Sequence, residues 1–356
     1  MAQNQYRAIG LMSGTSLDGV DAAFIETDGE SRIATGPFLT IPYEDSERAA
    51  LRSVLGGKGD VAGAERVVTE AHARAVARLR AEHGIDAVDL IGFHGHTILH
   101  DPQAHRTWQI GDGALLAQRT GVDVVCDFRS ADVAAGGEGA PFVPLYHAAL
   151  AAALPKPLVV LNIGGVANVT YIGETEKNLL AFDTGPGNAL IDDWALRHTG
   201  RALDHDGALA KSGRADVALV EKFLDQPYFD RRPPKSLDRD HFAAFTPAQL
   251  SAADGAATLT ALTVASIHRA MAHFPAPPKR WLVTGGGRRN PVMMAKLRDG
   301  LADVAPVEEA GWNGDALEAQ AFAWLAVRSL KGLPLSVPGT TGVPRPMTGG
   351  KLFRAA

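Results

Sequence analysis

The sequence predicts an α/β protein made of two similar lobes. Its 356 residues suffice for two domains of ordinary size, and a hydrophobic content of 46% suffices for two cores. Two segments, 6–25 and 157–172, repeat one pattern of apolar strand, Gly-rich turn and apolar strand. Strands and helices alternate after each segment, as in an α/β domain. This weak internal duplication predicts an N-terminal lobe at 1–140 and a C-terminal lobe at 141–339, with the tail 340–356 as a candidate to pack on the first.

Composition narrows the class of protein. The net charge is −5 and no run of Lys or Arg is present, which argues against nucleic-acid binding. The single cysteine, Cys126, lies within an apolar run, so we expect a buried thiol, no disulfide framework and a reducing compartment. The N-terminus lacks the apolar core of a signal peptide, and no apolar stretch is long enough to span a membrane. We therefore expect a soluble, cytoplasmic protein.

The first half alternates strands and helices. After the first hairpin, small and aliphatic residues recur at helical spacing over Val61–His83, and Gly84 follows as a typical helix end. A strand at 89–93, a second at 108–110, an Ala/Leu-rich helix that ends at Arg119 and a strand at 122–126 are expected next. The Pro/Gly-rich segment 134–144 is typical of a linker or a cleft loop.

The second half follows the same plan. After the hairpin 157–172, a strand at 179–183 ends at Asp183, and a helix at 189–197 begins after Asn188 as its N-cap. Another strand, Arg280–Thr284, leads into three glycines. Helices are expected at 292–301 and 316–330.

The Gly-rich turns of the two hairpins are candidate phosphate sites. Gly14 and Gly19 permit positive φ and close approach of a ligand, while the hydroxyls of Ser13, Thr15 and Ser16 are donors for phosphate oxygens. The spacing matches neither the Walker pattern nor a dinucleotide fingerprint, and a plain hairpin turn remains the alternative. The candidate ATP and phosphate ligands here are Gly14, Thr15, Ser16, Leu17, Asp18, Gly19, Val20, Asp21, Gly164 and Gly165. The carboxylates of Asp18 and Asp21 are candidates to hold Mg²⁺, with Asp18 preferred.

Five motifs in order resemble those of one enzyme family. They are Gly-Thr-Ser-Leu-Asp-Gly-Val-Asp (14–21), Phe-His-Gly-His-Thr (93–97), Asp-Phe-Arg (127–129), Asp-Thr-Gly-Pro-Gly-Asn (183–188) and Thr-Gly-Gly-Gly (284–287). Together they resemble the anhydro-N-acetylmuramic acid kinase family from Gly10 to about Gly342. The resemblance implies two RNase H-like lobes of the sugar kinase/Hsp70/actin superfamily around a central cleft. It also implies a homodimer that uses ATP and water to open a 1,6-anhydro sugar to its 6-phosphate in peptidoglycan recycling.

Two acidic residues are the catalytic candidates. Asp183 ends an apolar strand, and the resemblance implies that it is the general base that deprotonates the attacking water. A carboxylate that only stabilises the following Gly turn is the alternative. The resemblance also implies an active-site glutamate at Glu318, whereas Asp315-Ala-Leu-Glu318 has the spacing of a helix capping box.

The substrate-binding candidates are His96, Thr97, Arg129 and Asn188. Thr97 is a hydrogen-bond donor for the sugar, beside a turn that contains Gly95. Arg129 is suited to the lactyl carboxylate of a muramic sugar, with an ion pair to Asp127 or Asp132 as the alternative. His94 and His96 are two residues apart and invite a metal-site interpretation, but no third ligand has matching spacing.

Gly285, Gly286 and Gly287 follow a strand, and we expect the adenosine of ATP to lie against their backbone. Glu138 stands where the family pattern more usually has glutamine, which weakens the case for a carboxylate-bearing sugar. A levoglucosan-type kinase acting on a neutral anhydro sugar therefore remains an alternative. A nucleotide-dependent binding module of the actin or Hsp70 type is a second alternative.

Overall fold

The computed structural model describes residues 5–14, 16–175, 178–239 and 241–355. The chain divides into two compact units, Met1–Ala153 with Ala316–Ala356, and Leu154–Asp315. These boundaries differ from the expected 140/141 and 339/340, because residues 141–153 and the long helix Leu317–Leu330 pack with the first unit.

The first unit is built on one mixed sheet, which has seven strands among the described residues. The strands are β1 (Tyr6–Ser13), β2 (Gly19–Thr27), β3 (Ile33–Pro42), β4 (Leu90–Asp101), β5 (Arg106–Ile110), β6 (Val124–Cys126) and β12 (Lys351–Phe353). They lie in the order β3-β2-β1-β4-β6-β12, and β5 pairs with β4 as a hairpin. β1 is antiparallel to β2 and parallel to β4, so the predicted first hairpin is confirmed. The tail enters this sheet through β12, antiparallel to β6.

Helices cover both faces of the first sheet. They are α1 (Asp45–Ser53), α2 (Val61–His83), α3 (Gly113–Thr120), α4 (Ser130–Ala134), α5 (Pro144–Leu150), α11 (Leu317–Leu330) and α12 (Pro338–Thr341). α2 has the predicted bounds, with Asp60 as N-cap and Gly84 in the left-handed conformation after its last turn. Ile9 and Leu11 of β1 share a core with α2, while Gly10 between them faces α11, as strand alternation requires.

The second unit is built on a smaller mixed sheet, with five strands in the described part of the chain. They are β7 (Leu158–Ile163), β8 (Val166–Ile172), β9 (Leu179–Pro186), β10 (Arg280–Thr284) and β11 (Val304–Pro306), in the order β9-β8-β7-β10-β11. The helices are α6 (Ala189–Thr199), α7 (Ala208–Ser212), α8 (Val217–Leu224), α9 (Ala252–Ala270) and α10 (Pro291–Arg298). α9 and the face of the sheet that carries Phe182 and Val283 share one apolar core.

The two sheets have the same topology. In each, three antiparallel strands are followed in space by two strands parallel to the first, β3-β2-β1-β4-β6 in one unit and β9-β8-β7-β10-β11 in the other. This is the RNase H-like order, so the predicted α/β fold with two similar lobes is confirmed. No helix in the described ranges is long and apolar enough to cross a membrane.

Candidate active site

The turn between β1 and β2 is held by a leucine in a left-handed conformation. Leu17 has φ 61°, its N–H donates to the Gly14 carbonyl over 3.1 Å, and its side chain is buried. The expectation of positive φ at Gly14 and Gly19 is wrong, because neither residue lies in that region. Gly19 instead permits close packing, since a Cβ there would lie 2.3 Å from the Ile41 carbonyl oxygen.

The polar groups of this turn point in different directions. Ser16 and Asp18 are exposed, and the Asp18 carbonyl accepts the Tyr43 N–H over 3.1 Å. The carboxylate of Asp21 accepts from Thr40 Oγ1 over 2.6 Å, and Val20 is buried. Thr15 lies outside the described residues. Ser16 and Asp18 are thus accessible to a phosphate ligand.

Ser13 is not among the accessible groups, contrary to expectation. It is buried, and its Oγ lies 2.7 Å from the Tyr43 hydroxyl and 3.0 Å from His96 Nδ1. Burial lowers the pKa of His96 to about 4, so the ring is neutral at pH 7. Its Nε2 is buried and has no hydrogen-bond partner among the described residues. The network joins the first hairpin to β4, a link that sequence reasoning missed.

His94 and Arg129 form a second network in the same unit. Arg129 Nε donates to His94 Nε2 over 3.0 Å, and His94 Nδ1 lies 2.9 Å from the Gly95 carbonyl. Burial, together with the positive charge of Arg129, holds the pKa of His94 well below its usual range. Both ring nitrogens of His94 therefore have hydrogen-bond partners within the protein. Because His96 bonds to different partners, the pair does not form a metal site.

Gly95 lies within β4 rather than in the predicted turn. It has φ 74° in the left-handed region, at an irregularity where the register with β1 shifts. A Cβ would lie 2.4 Å from the Ile110 carbonyl oxygen, so β4 and β5 come together through this glycine. Thr97 follows opposite Gln109 on β5, whose Nε2 donates to its hydroxyl over 3.2 Å.

Arg129 forms no ion pair with either predicted partner, judged over the described residues. Asp127 pairs with Lys351 instead, and the buried Asp132 carboxylate accepts from the Gly139 N–H and from the hydroxyls of Ser336 and Thr341. The guanidinium donates to the Gly139 carbonyl over 2.6 Å.

Arg129 keeps its positive charge despite its burial. Burial lowers its pKa to about 10, against the negative charges of Glu318 and Asp132, so it stays charged at neutral pH. Glu138 adjoins this loop through its N–H, which donates to the Thr341 carbonyl over 2.6 Å.

Glu318 lies in the first turn of α11, and the capping-box prediction is wrong. The N-cap residue is Ala316, without a side-chain cap, and Asp315 is bound by Arg288 and Arg289. Desolvation by the surrounding protein raises the pKa of the Glu318 carboxyl, while the positive charge of Arg129 lowers it. Glu318 is therefore not used in closing the helix end.

Two glycines set the position of α11. Gly10 and Gly92 are register partners on β1 and β4. A Cβ on Gly10 would lie 1.7 Å from the Ala319 carbonyl oxygen, and one on Gly92 would lie 2.0 Å from that of Phe322. Because no side chain fits at Gly10 or Gly92, the backbone of α11 packs directly on β1 and β4. This packing also sets the position of Glu318 in the first turn of α11.

In the second unit, Asp183 is held at three points. Its N–H donates to the Lys235 carbonyl over 3.0 Å, its carbonyl accepts from the Tyr228 hydroxyl over 2.6 Å, and its Oδ2 accepts from the Leu237 N–H over 2.7 Å. It lies within β9, which continues to Pro186, rather than at the strand end as expected. Sequence reasoning missed all three partners.

Three Gly-rich elements of the second unit come together at Asn188. Asn188 is the N-cap of α6 as expected, but its side chain caps no N–H and donates from Nδ2 to the Ile163 carbonyl over 3.0 Å. The carbonyls of Gly164 and Gly165 accept the N–H groups of residues 187–189. A Cβ on Gly286 would lie 3.5 Å from Asn188 Nδ2. The turn at Gly164 and Gly165 and the glycines after β10 therefore lie next to each other, on either side of Asn188.

The segment after β10 is braced by a buried arginine. Gly285 has φ 74°, and a Cβ there would lie 2.7 Å from the Ile163 carbonyl oxygen, while one on Gly287 would press on the Ile163 side chain at 2.4 Å. Arg288, only 6% exposed, donates to the Gly285 carbonyl over 3.0 Å and pairs with Glu308 and Asp315. Gly285 and Gly287 are thus needed for close packing against Ile163, and the expected contact with adenosine stays a prediction.

Over the residues that the structure describes, no three or more His, Cys, Asp or Glu side chains converge on one point. In nucleotide sites Mg²⁺ is usually bound through the substrate phosphates and one or two carboxylates. Asp18, an exposed carboxylate beside the Gly-rich turn, has the right chemistry.

Comparison with known proteins identifies the family. The family model described as anhydro-N-acetylmuramic acid kinase matches residues 6–355. The chain is 62% identical to the anhydro-N-acetylmuramic acid kinase of Paramagnetospirillum magneticum, over 97% of this chain and 98% of that protein. It is 57% identical to the enzyme of the same name from Rhodospirillum rubrum, over 98% and 94%.

Among solved structures, it is similar to the activator of the 2-hydroxyisocaproyl-CoA dehydratase from Clostridium difficile with bound ADPNP. The TM-score is 0.49 and the identity 11%, over 92% of this chain and 96% of that one, a similarity too low to bear on function. The match along the whole chain and the identity to curated relatives are decisive: the chain belongs to the anhydro-N-acetylmuramic acid kinase family.

Proposed function

We propose that the protein is an ATP-dependent kinase that hydrolytically opens the 1,6-anhydro ring of anhydro-N-acetylmuramic acid. The products are N-acetylmuramic acid 6-phosphate and ADP, in the recycling of peptidoglycan sugars. Family membership over residues 6–355 is the observation that carries the proposal. The site residues add chemical support, because a fixed carboxylate and a charged arginine are what this reaction needs.

Asp183 is the proposed general base. The Leu237 N–H fixes its Oδ2, so the carboxylate has a defined orientation before substrate binds. It accepts a proton from a water whose oxygen attacks the anomeric carbon C1. The bond from C1 to the bridging O6 breaks, O6 bonds to the γ-phosphorus of ATP, and the bond from that phosphorus to the β,γ-bridging oxygen breaks to release ADP.

Arg129 is the proposed partner of the lactyl carboxylate. Its guanidinium is partly buried and charged, and its bonds within the described part of the chain go to a neutral ring and a carbonyl rather than to a carboxylate. An anionic substituent would therefore form a direct ion pair with Arg129, in addition to the influence of the nearby Glu318 and Asp132 charges. His96, Thr97, Asn188 and Glu318 remain proposed sugar contacts, with Glu318 in an accessory acidic role.

The two Gly-rich hairpins, residues 14–21 and 164–165, are the proposed phosphate sites, and Gly285, Gly286 and Gly287 the proposed adenosine site. Asp18 is the proposed carboxylate for Mg²⁺, which when bound neutralises charge on the phosphates. We further propose that the protein is a cytoplasmic homodimer.

The test is coupled ADP release with ATP and Mg²⁺, comparing anhydro-N-acetylmuramic acid, levoglucosan and no sugar. We expect stimulation by the muramic sugar alone. Asp183→Asn keeps the shape and an acceptor for the Leu237 N–H but removes the base, so kcat should fall about 10²- to 10⁴-fold with ATP binding intact. Asp299→Asn, an exposed residue of the same unit, is the matched control and should be unchanged.

Stimulation by levoglucosan instead would move the substrate to a neutral anhydro sugar. Stimulation by neither sugar would overturn the proposed function and favour a binding module. Asp183→Asn with more than a few per cent of wild-type turnover would exclude this residue as the base.

A further inference from the structure

Lys235 in the second unit is buried to a degree that is rare for lysine. It is 3% exposed, and its ammonium donates to the carbonyls of Tyr228 and Phe229 over 3.0 and 3.2 Å. The nitrogen also lies 4.6 Å from the centre of the Tyr228 ring and 5.7 Å from that of Phe182. These contacts offset much of the cost of removing a charge from water, and the side chain is not available to substrate.

The chain around Lys235 also supplies the three contacts to Asp183. The Lys235 carbonyl accepts the Asp183 N–H, the Leu237 N–H donates to its carboxylate, and the Tyr228 hydroxyl donates to its carbonyl. The backbone bond from the Asp183 N–H to the Lys235 carbonyl and the bond from the Leu237 N–H to the Asp183 carboxylate place this short stretch beside β9. We call residues 227–237 the clamp segment.

Other contacts also hold the clamp segment, because Tyr228 and Phe229 lie in the apolar core and Asp230 pairs with Arg269. Pro233 and Pro234 carry no N–H, so neither residue can donate to a backbone ladder. The Lys235 ammonium instead joins this stretch to the carbonyl end of the short helical turn Pro227–Asp230, across the Tyr228 ring.

We infer that Lys235 is a positioning residue for the reaction, which anchors the clamp segment and thereby fixes the Asp183 carboxylate. The inference rests on the proposed role of Asp183 as base. Lys235 acts on Asp183 indirectly. Its ammonium binds the Tyr228 carbonyl and fixes residues 235–237, and Tyr228 and residues 235–237 in turn bond to Asp183. Since a displacement of about 1 Å in a catalytic group costs about 10²-fold in rate, the anchor should matter for kcat rather than for binding.

The experiment measures kcat and KM for ATP and for anhydro-N-acetylmuramic acid in Lys235→Met. Methionine keeps the length of the side chain but loses the charge and the donors. We expect kcat to fall about 10- to 100-fold with both KM values within about twofold of wild type. Lys222→Met, which removes an exposed lysine from α8 of the same unit, is the matched control and should leave kcat unchanged.

If circular dichroism and the melting temperature show that Lys235→Met does not fold, a second variant tests the same inference. Tyr228→Phe keeps the ring beneath the ammonium and removes only the hydroxyl that bonds to Asp183. It should lower kcat about three- to tenfold, again without a change in KM.

The outcomes separate this inference from the proposed function. If wild type shows no sugar-stimulated ADP release, the proposed function has failed. If wild type is active and Asp183→Asn is not, while the folded Lys235 and Tyr228 variants keep wild-type kcat or change only KM, the positioning role is overturned and the proposed function stands.

Discussion

Acidification should destabilise the first unit through its buried histidines. His72, His96 and His147 are each at most 4% exposed, and burial lowers their pKa values to about 3, about 4 and about 3. They are neutral in the folded protein, whereas in the unfolded chain they take up protons below pH 6.5. Because the unfolded state then binds more protons, the stability they contribute is fully present above pH 6.5 and is lost as pH falls towards 4.

The size of the effect follows from these pKa values. Between pH 7 and pH 5, each histidine with a pKa of 6.5 unfolded and 4 or less folded lowers the free energy of unfolding by about 2 kcal/mol. Three such residues sum to about 6 kcal/mol, comparable with the whole stability of many domains. The first unit should therefore unfold at much lower urea concentration at pH 5.

His72→Leu provides the test, with urea unfolding followed by circular dichroism at pH 7 and pH 5. The variant should reduce the difference in unfolding free energy between the two pH values by about 2 kcal/mol, whatever its stability at pH 7. His83→Leu, at the exposed end of the same helix α2, is the control and should keep the full difference. An unchanged pH difference in His72→Leu would refute the reasoning.

Three further outcomes are expected. Gly92→Ala places a Cβ 2.0 Å from the Phe322 carbonyl oxygen, so it should lower stability by at least about 2 kcal/mol in thermal unfolding; a wild-type melting temperature would contradict the close contact with α11. Arg129→Lys loses the planar fork of donors and should raise KM for the muramic sugar about tenfold or more; an unchanged KM would remove Arg129 as the carboxylate partner. Cys126 is partly exposed rather than buried as expected, but desolvation raises the pKa of its thiol to about 12, so it should react slowly with a thiol reagent at pH 8 until urea unfolds the protein. Rapid labelling of the native state would contradict the raised pKa.

Elements with strong local signals were predictable from sequence. α2 begins after a capping aspartate and ends before Gly84, and its observed bounds are those expected. β10 likewise runs over Arg280–Thr284 as expected, because an apolar run ends there at a glycine. The duplicated hairpins predicted the two similar sheets, since hairpin pairing depends on residues close in sequence.

Contacts between distant residues were not predictable. Nothing local indicates that Leu17 adopts a left-handed conformation, because its buried side chain compensates for the strain. The need for glycine at positions 10 and 92 can be recognised only when β1 and β4 are seen to pair against α11. The clamp segment contacts Asp183 from 45 to 54 residues away, so its Pro-Pro-Lys sequence carried no visible signal.

The string Asp315-Ala-Leu-Glu318 shows why a local signal can mislead. Its spacing satisfies the capping-box rule, but Arg288 is nearly buried and its charge requires carboxylates, which Asp315 and Glu308 provide. Asp315 therefore pairs with Arg288 and Arg289 and does not cap the helix, although such a cap contributes about 1 kcal/mol. Glu318 lies in the first turn of α11 and does not cap the helix. It is close enough to Arg129 for the charge of each residue to shift the pKa of the other. A contact with residues distant in sequence therefore decides that Asp315 does not cap the helix.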